Sequence, residues 1–138
     1  MSRPMKLIII VGVINLLLRA ADYLTGDFTQ LGIVEVDGPW APIVWGAACL
    51  LAAVTITVGM ALSRLKIAAF GALIASATYV MFSVQAIDES LFTPPIDDWR
   101  FASDYIARAV TWGVITGWLY MRDGVLAARR AAQEAARE

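Results

Sequence analysis

Two apolar runs, Ile43–Ser63 and Ile67–Ile87, separated only by Arg64, Leu65 and Lys66, constrain this chain more than any other feature. Each run holds 21 residues and no charged side chain. At about 1.5 Å rise per residue, either run makes a helix of about 31 Å, close to the roughly 30 Å hydrocarbon core of a bilayer. Two such helices joined by a short basic turn read as a transmembrane hairpin.

The composition places the rest of the chain in the same setting. Apolar residues make up 59% and charged residues 17%, against about 45–50% and about 25% in soluble domains. A length of 138 residues leaves room for one domain. The net charge of −1 supplies no bulk attraction to nucleic acid or to anionic lipid. The lone Cys49 sits inside an apolar run and reads as a small packing residue. With no histidine in the chain, imidazole metal sites and His-based acid–base catalysis are excluded. No nucleophile elbow, P-loop, dinucleotide fingerprint or HExxH occurs. Glu89 with Asp97 and Asp98 does not match the spacing of a calcium loop. The expectation is a non-enzymatic protein with no cofactor and no metal.

Before the hairpin, Leu7–Leu18 are uncharged and resemble the apolar region of a signal peptide. Cleavage after Ala20 or Ala21 would place Leu18 or Arg19 at the −3 position, where small residues are required. The segment is therefore read as an uncut helix running to about Leu24. Arg19 carries its guanidinium toward the interface on a long stem, with Asp22 three residues on as its partner. After the hairpin, Pro94-Pro95 interrupts an acidic stretch. A last span of about Ser103–Met121 follows, with Arg108 near its outer end. Trp40, Trp45, Phe92, Trp99, Phe101 and Tyr105 are expected at the headgroup level.

Charge alternates along the chain with the period of one crossing. The N-terminal segment carries Arg3 and Lys6, the first loop Asp27, Glu35 and Asp37, and the hairpin turn Arg64 and Lys66. The second loop is acidic again, and the tail carries Arg122, Arg129, Arg130 and Arg137. Because Lys and Arg collect on the cytoplasmic side, this predicts an all-α integral membrane four-helix bundle in the cytoplasmic (inner) membrane, with both termini cytoplasmic. The expected spans are about 5–24, 43–63, 67–87 and 103–121, with outer loops 25–42 and 88–102 and a short helical tail over 122–138. A three-span arrangement, with the first segment removed or lying on the surface, leaves the remainder unchanged.

Helices in lipid associate through small residues and interhelical hydrogen bonds. Gly71 with Ala75 and Gly113 with Gly117 have the four-residue spacing for close approach, and Asn15 is the most polar side chain at depth. Ser76, Thr78 and the other hydroxyls are expected to bond their own helix backbone. No acidic residue falls at mid-depth, so a proton path is not indicated. Arg19, Asp22, Asp104 and Arg108 all lie near the outer ends of the first and last spans. They form a candidate charged cluster, read either as interfacial arginines with local ion pairs or as a polar vestibule.

Size, four short spans, and Trp45-Gly46, Gly59, Arg64, Gly71 and Tyr79 across the hairpin give the chain a likeness. It resembles the small four-span membrane proteins of actinobacterial phages, a group read as holins or other phage membrane proteins. The resemblance spans about residues 40–121 and assigns no functional residue. It implies a holin-like protein that assembles with itself in the bilayer. The alternatives are a structural or regulatory subunit of a larger membrane complex, including one that blocks entry of a second phage, and a small dimeric channel or transporter.

Overall fold

The computed structural model describes residues 2–25, 41–92 and 99–137. These form four helices: α1 (Arg3–Thr25), α2 (Ala41–Ala61), α3 (Leu65–Phe92) and α4 (Trp99–Ala135). The hairpin turn lies earlier than the basic residues suggest. α2 stops at Ala61 and α3 starts at Leu65, so the hinge is Leu62–Arg64 and Lys66 is already helical. Local capping explains the shift. Ser63 adopts a left-handed φ of 56°, its N–H donates to Met60 O at 3.2 Å, and the Arg64 N–H donates to Gly59 O at 2.8 Å. These two bonds form a Schellman cap, which satisfies the last carbonyls of α2.

The acidic residues 88 and 89, expected in a loop, extend α3 instead, and α3 ends at Phe92, two residues before Pro94. Proline, lacking an N–H and restricting the residue before it, supplies the stop. α4 likewise begins at Trp99, earlier than expected, and runs unbroken into the alanine-rich tail. No separate short C-terminal helix is present among the described residues. Trp40, Asp97 and Asp98 lie outside those residues, as do the side chains of Glu89, Phe92 and Trp99.

Specific contacts set the register. Gly59 faces Ala68 and Gly71 faces Ile56, while Trp45 and Phe82 meet at 5.2 Å between ring centroids; α2 and α3 are therefore antiparallel. Ser76 Oγ–H donates to Ala109 O of α4 at 2.9 Å, and Lys66 Nζ lies 3.8 Å from Asp123 Oδ2; α3 and α4 are antiparallel too. The Ser76 bond departs from expectation, since that hydroxyl crosses to the next helix instead of turning back on its own. Thr57, Thr78, Ser83 and Thr116 do bond the carbonyl four residues earlier. α1 packs on α2 where Gly46 meets Tyr23 and Leu24, and reaches α4 where Trp112 covers Gly12.

The result is an up-down-up-down bundle in which α3 packs extensively along both α2 and α4 and also meets α1. That single helix, and not the α2–α3 hairpin as a unit, is the structural centre. Three helices, over Arg3–Thr25, Pro42–Ala61 and Leu65–Asp88, are long and apolar enough to cross a membrane. α4 does not reach that standard, because Arg100, Asp104 and Arg108 precede its 13 uncharged residues, Ala109–Met121, and Arg122 and Asp123 follow. Its exposed stripe of Ile106, Val110, Val114 and Met121 nevertheless continues the apolar belt formed by Leu7, Val11 and Leu18 of α1 and Leu51 and Val84 of α2 and α3. A surface this apolar suits lipid, not water.

Candidate functional site

The four residues of the expected charged cluster occupy one end of the bundle, but aromatic rings organise them. Phe82 of α3 is the hub. It stacks on Tyr23 of α1 at 5.5 Å and 16°, tilts against Trp45 of α2, and contacts Tyr105 of α4 at 5.5 Å. Tyr79, one turn earlier, meets Phe82 edge-on at 5.9 Å and Tyr105 at 6.3 Å. Phe82, Tyr79 and Tyr105 are each at most 3% exposed. Offset and edge-on geometries of this kind are the favourable ones for quadrupolar rings.

The arginines sit against these rings. Arg19 Nη1–H donates to Tyr105 Oη at 3.1 Å, and its Cζ lies 5.1 Å from the Tyr105 ring centroid. Arg108 Nε–H donates to Asp104 Oδ2 at 2.8 Å, and its Cζ lies 5.9 Å from the Tyr79 ring. Tyr79 Oη–H donates to Asn15 Oδ1 at 2.8 Å, which ties α1 to α3. Asp22 takes no part: its side chain is exposed, and among the described residues no ion pair joins it to Arg19. Gln85 has Oε1 enclosed with no hydrogen-bond partner among the described residues.

The expected grouping is thus partly regrouped. Arg19, Arg108 and Asp104 share one end, but tyrosine rings separate the two cations. Tyr105 and Trp45, expected at the headgroup level, both face the bundle at that end, Tyr105 buried and Trp45 half-buried against the core. An amphipathic ring near a helix end satisfies both placements, and only the rotation of the helix selects one. The signal in the sequence was the recurrence of Tyr23, Trp45, Tyr79, Phe82 and Tyr105 at one depth once the spans are aligned.

The small residues also divide into two sets. Gly71 is buried in the α2–α3 contact, and Ala75, one turn on, is fully buried as well. Gly113 and Gly117 are exposed: a Cβ on Gly113 would meet only Ser76 Oγ, at 3.5 Å, and one on Gly117 would meet nothing within 4 Å. Their motif does not pack the bundle.

Chemically, the cluster offers phenols, an amide, two guanidiniums and one carboxylate that already pairs with Arg108. It carries an excess of positive charge and the means to hold three helices together. Among the described residues no group of three His, Cys, Asp or Glu side chains is placed to hold a metal.

The two arginines have unequal structural weight. Arg19→Gln removes a cation that is hydrogen-bonded to a buried phenol and is expected to destabilise the bundle by about 1–2 kcal/mol. Arg108→Gln breaks a largely exposed same-helix pair and the longer contact of its guanidinium with the Tyr79 ring, and is expected to cost about 0.5–1 kcal/mol. Denaturant titration in detergent micelles, followed by circular dichroism, measures both; equal losses would contradict the geometry.

No protein-family model, no curated protein and no solved structure matches this chain.

Proposed function

We propose that this chain is a non-enzymatic protein of the cytoplasmic membrane, crossing it four times with both termini inside, that acts holin-like by assembling with copies of itself. Charge placement supports the orientation. The alternating helix directions bring Arg3, Lys6, Arg64, Lys66 and Arg122 to one end of the bundle, the distribution expected of a cytoplasmic face. The apolar stripe of α4 supports the fourth crossing, since the charges of that helix flank the uncharged stretch Ala109–Met121 and do not interrupt it.

The observation that carries the functional reading is the open face of α4. Gly12, Gly46, Gly59 and Gly71 are all covered by the chain itself, whereas Gly117 faces open space between Val114 and Met121. Small residues on a lipid-facing surface allow a second helix to approach closely. The interior of a single bundle is filled by the Tyr79, Phe82 and Tyr105 rings, which disfavours a channel running through one copy. Permeabilisation by this protein would therefore require several copies.

Timed expression in a bacterial host, with membrane potential followed by a voltage-sensitive dye, tests the reading. The expected result is a delayed collapse of potential. Gly117→Leu, which blocks the open face without touching the core, is expected to abolish the collapse while membrane insertion is retained. Abundant wild-type protein in a membrane of normal potential would overturn the proposal. A stable partner of different sequence on co-purification would then favour a structural or regulatory subunit using the same face.

A further inference from the structure

A second surface, at the opposite end of α4 from the arginine–tyrosine cluster, has a chemistry of its own. Where the exposed stripe of α4 leaves its apolar stretch at Met121, the next turns carry a groove of about 310 Å³ lined by Trp118, Met121, Arg122, Val125, Leu126 and Arg129. The spacing of residues 118, 122, 125 and 129 keeps these side chains on one helix face. The groove therefore runs from an indole and a thioether, through two aliphatic side chains, to a guanidinium at either end of the aliphatic pair.

Both guanidiniums are available. Arg122 lays its Cζ 5.2 Å over the Trp118 ring; that contact uses the π face and leaves the N–H edges free. The adjacent carboxylate, Asp123, is turned to Lys66. Among the described residues, neither Arg122 nor Arg129 belongs to an ion pair. Val125 is 52% exposed and Met121 68%, which is costly in water and natural beside an acyl chain. Arg122 and Arg129 are about 10 Å apart along the axis, so two long side chains can converge on a group between them.

We infer that this groove binds an anionic phospholipid side-on, with its phosphate held by Arg122 and Arg129 and its acyl chain along Trp118 and Met121. Arginine forks match phosphate oxygens bidentately. A zwitterionic lipid offers the same phosphate but brings a cation into a site that already holds two. The inference uses the membrane placement of α4 and not the assembly of copies. Loss of assembly with lipid binding intact leaves it standing.

The test is native mass spectrometry of the full chain released from nanodiscs made of equal parts phosphatidylglycerol and phosphatidylcholine. Wild-type protein is expected to retain phosphatidylglycerol preferentially. Arg122→Gln/Arg129→Gln is expected to lower that retention about tenfold. Arg130→Gln/Arg137→Gln removes the same charge outside the groove, with Arg137 beyond a Debye length from the site, and is expected to lower retention less than about twofold. Circular dichroism confirms that both variants keep their helix content. Equal losses in the two variants, or equal retention of the two lipids by the wild type, would overturn the assignment.

Discussion

Gly59→Ala is expected to separate α2 from α3 and to be among the most disruptive single-methyl additions in the chain. A Cβ at this position would lie 2.8 Å from Ala68 Cα and 2.9 Å from Ile67 C. Both are backbone atoms, which cannot rotate aside as a side chain can. The hinge at Leu62–Arg64 begins three residues later, so the helices have little slack to move apart locally. Overpacking of this type costs about 1–3 kcal/mol, and the rigid partner places Gly59 toward the upper end. Gly117→Ala is the control: with nothing within 4 Å of the added Cβ, it is expected to stabilise by up to about 1 kcal/mol through helix propensity. Unfolding in mild detergent with increasing sodium dodecyl sulfate measures both. Similar behaviour of the two variants would mean that α2 and α3 do not meet at Gly59.

Tyr79→Ala is the second large effect. Tyr79 is 0% exposed and links α1 through Asn15, α4 through Tyr105 and Arg108, and the ring of Phe82 on its own helix. Lipid removes most of the hydrophobic drive for helix association, so the loss is mainly of van der Waals contact around an unfilled cavity. Aromatic-to-alanine changes in protein cores cost about 3–5 kcal/mol. Tyr79→Phe keeps the ring and removes only the bond to Asn15. Interhelical hydrogen bonds in membranes average about 0.6 kcal/mol, so the phenylalanine variant is expected to be close to wild type. A double-mutant cycle with Asn15→Ala isolates that term. If Tyr79→Phe were as damaging as Tyr79→Ala, the hydroxyl and not the ring would hold the helices together.

The hinge shows how far local signals reach. Arg64 and Lys66 mark it in the sequence to within a few residues, but its position depends on Ser63 taking a left-handed conformation, which serine only rarely adopts. The reach of α3 past Asp88 was equally hidden. Acidic residues suggest a loop when charge is read as exposure, yet a helix leaving the apolar belt can carry them on its last turns. Proline, a steric constraint carried by one residue, was the more reliable stop. The open GxxxG of α4 and the buried Gly71–Ala75 pair look alike as strings; their environments differ because the two helices present different faces to the bundle.

Membrane character, approximate helix lengths and the sorting of positive charge to one end were legible along the chain. Each is a sum over neighbouring residues and needs no knowledge of how a helix is rotated. Rotation is what brought Tyr105 and Trp45 inward, turned Ser76 to Ala109, left Gly117 open and made α3 the centre. A water-soluble helix announces its inner face by an apolar stripe. In lipid both faces are apolar, so α2 and α3 carry little periodic signal, and the choice of face falls to close backbone approach at glycines and to the few polar atoms, such as Asn15 and Tyr79, that must find each other across the bundle.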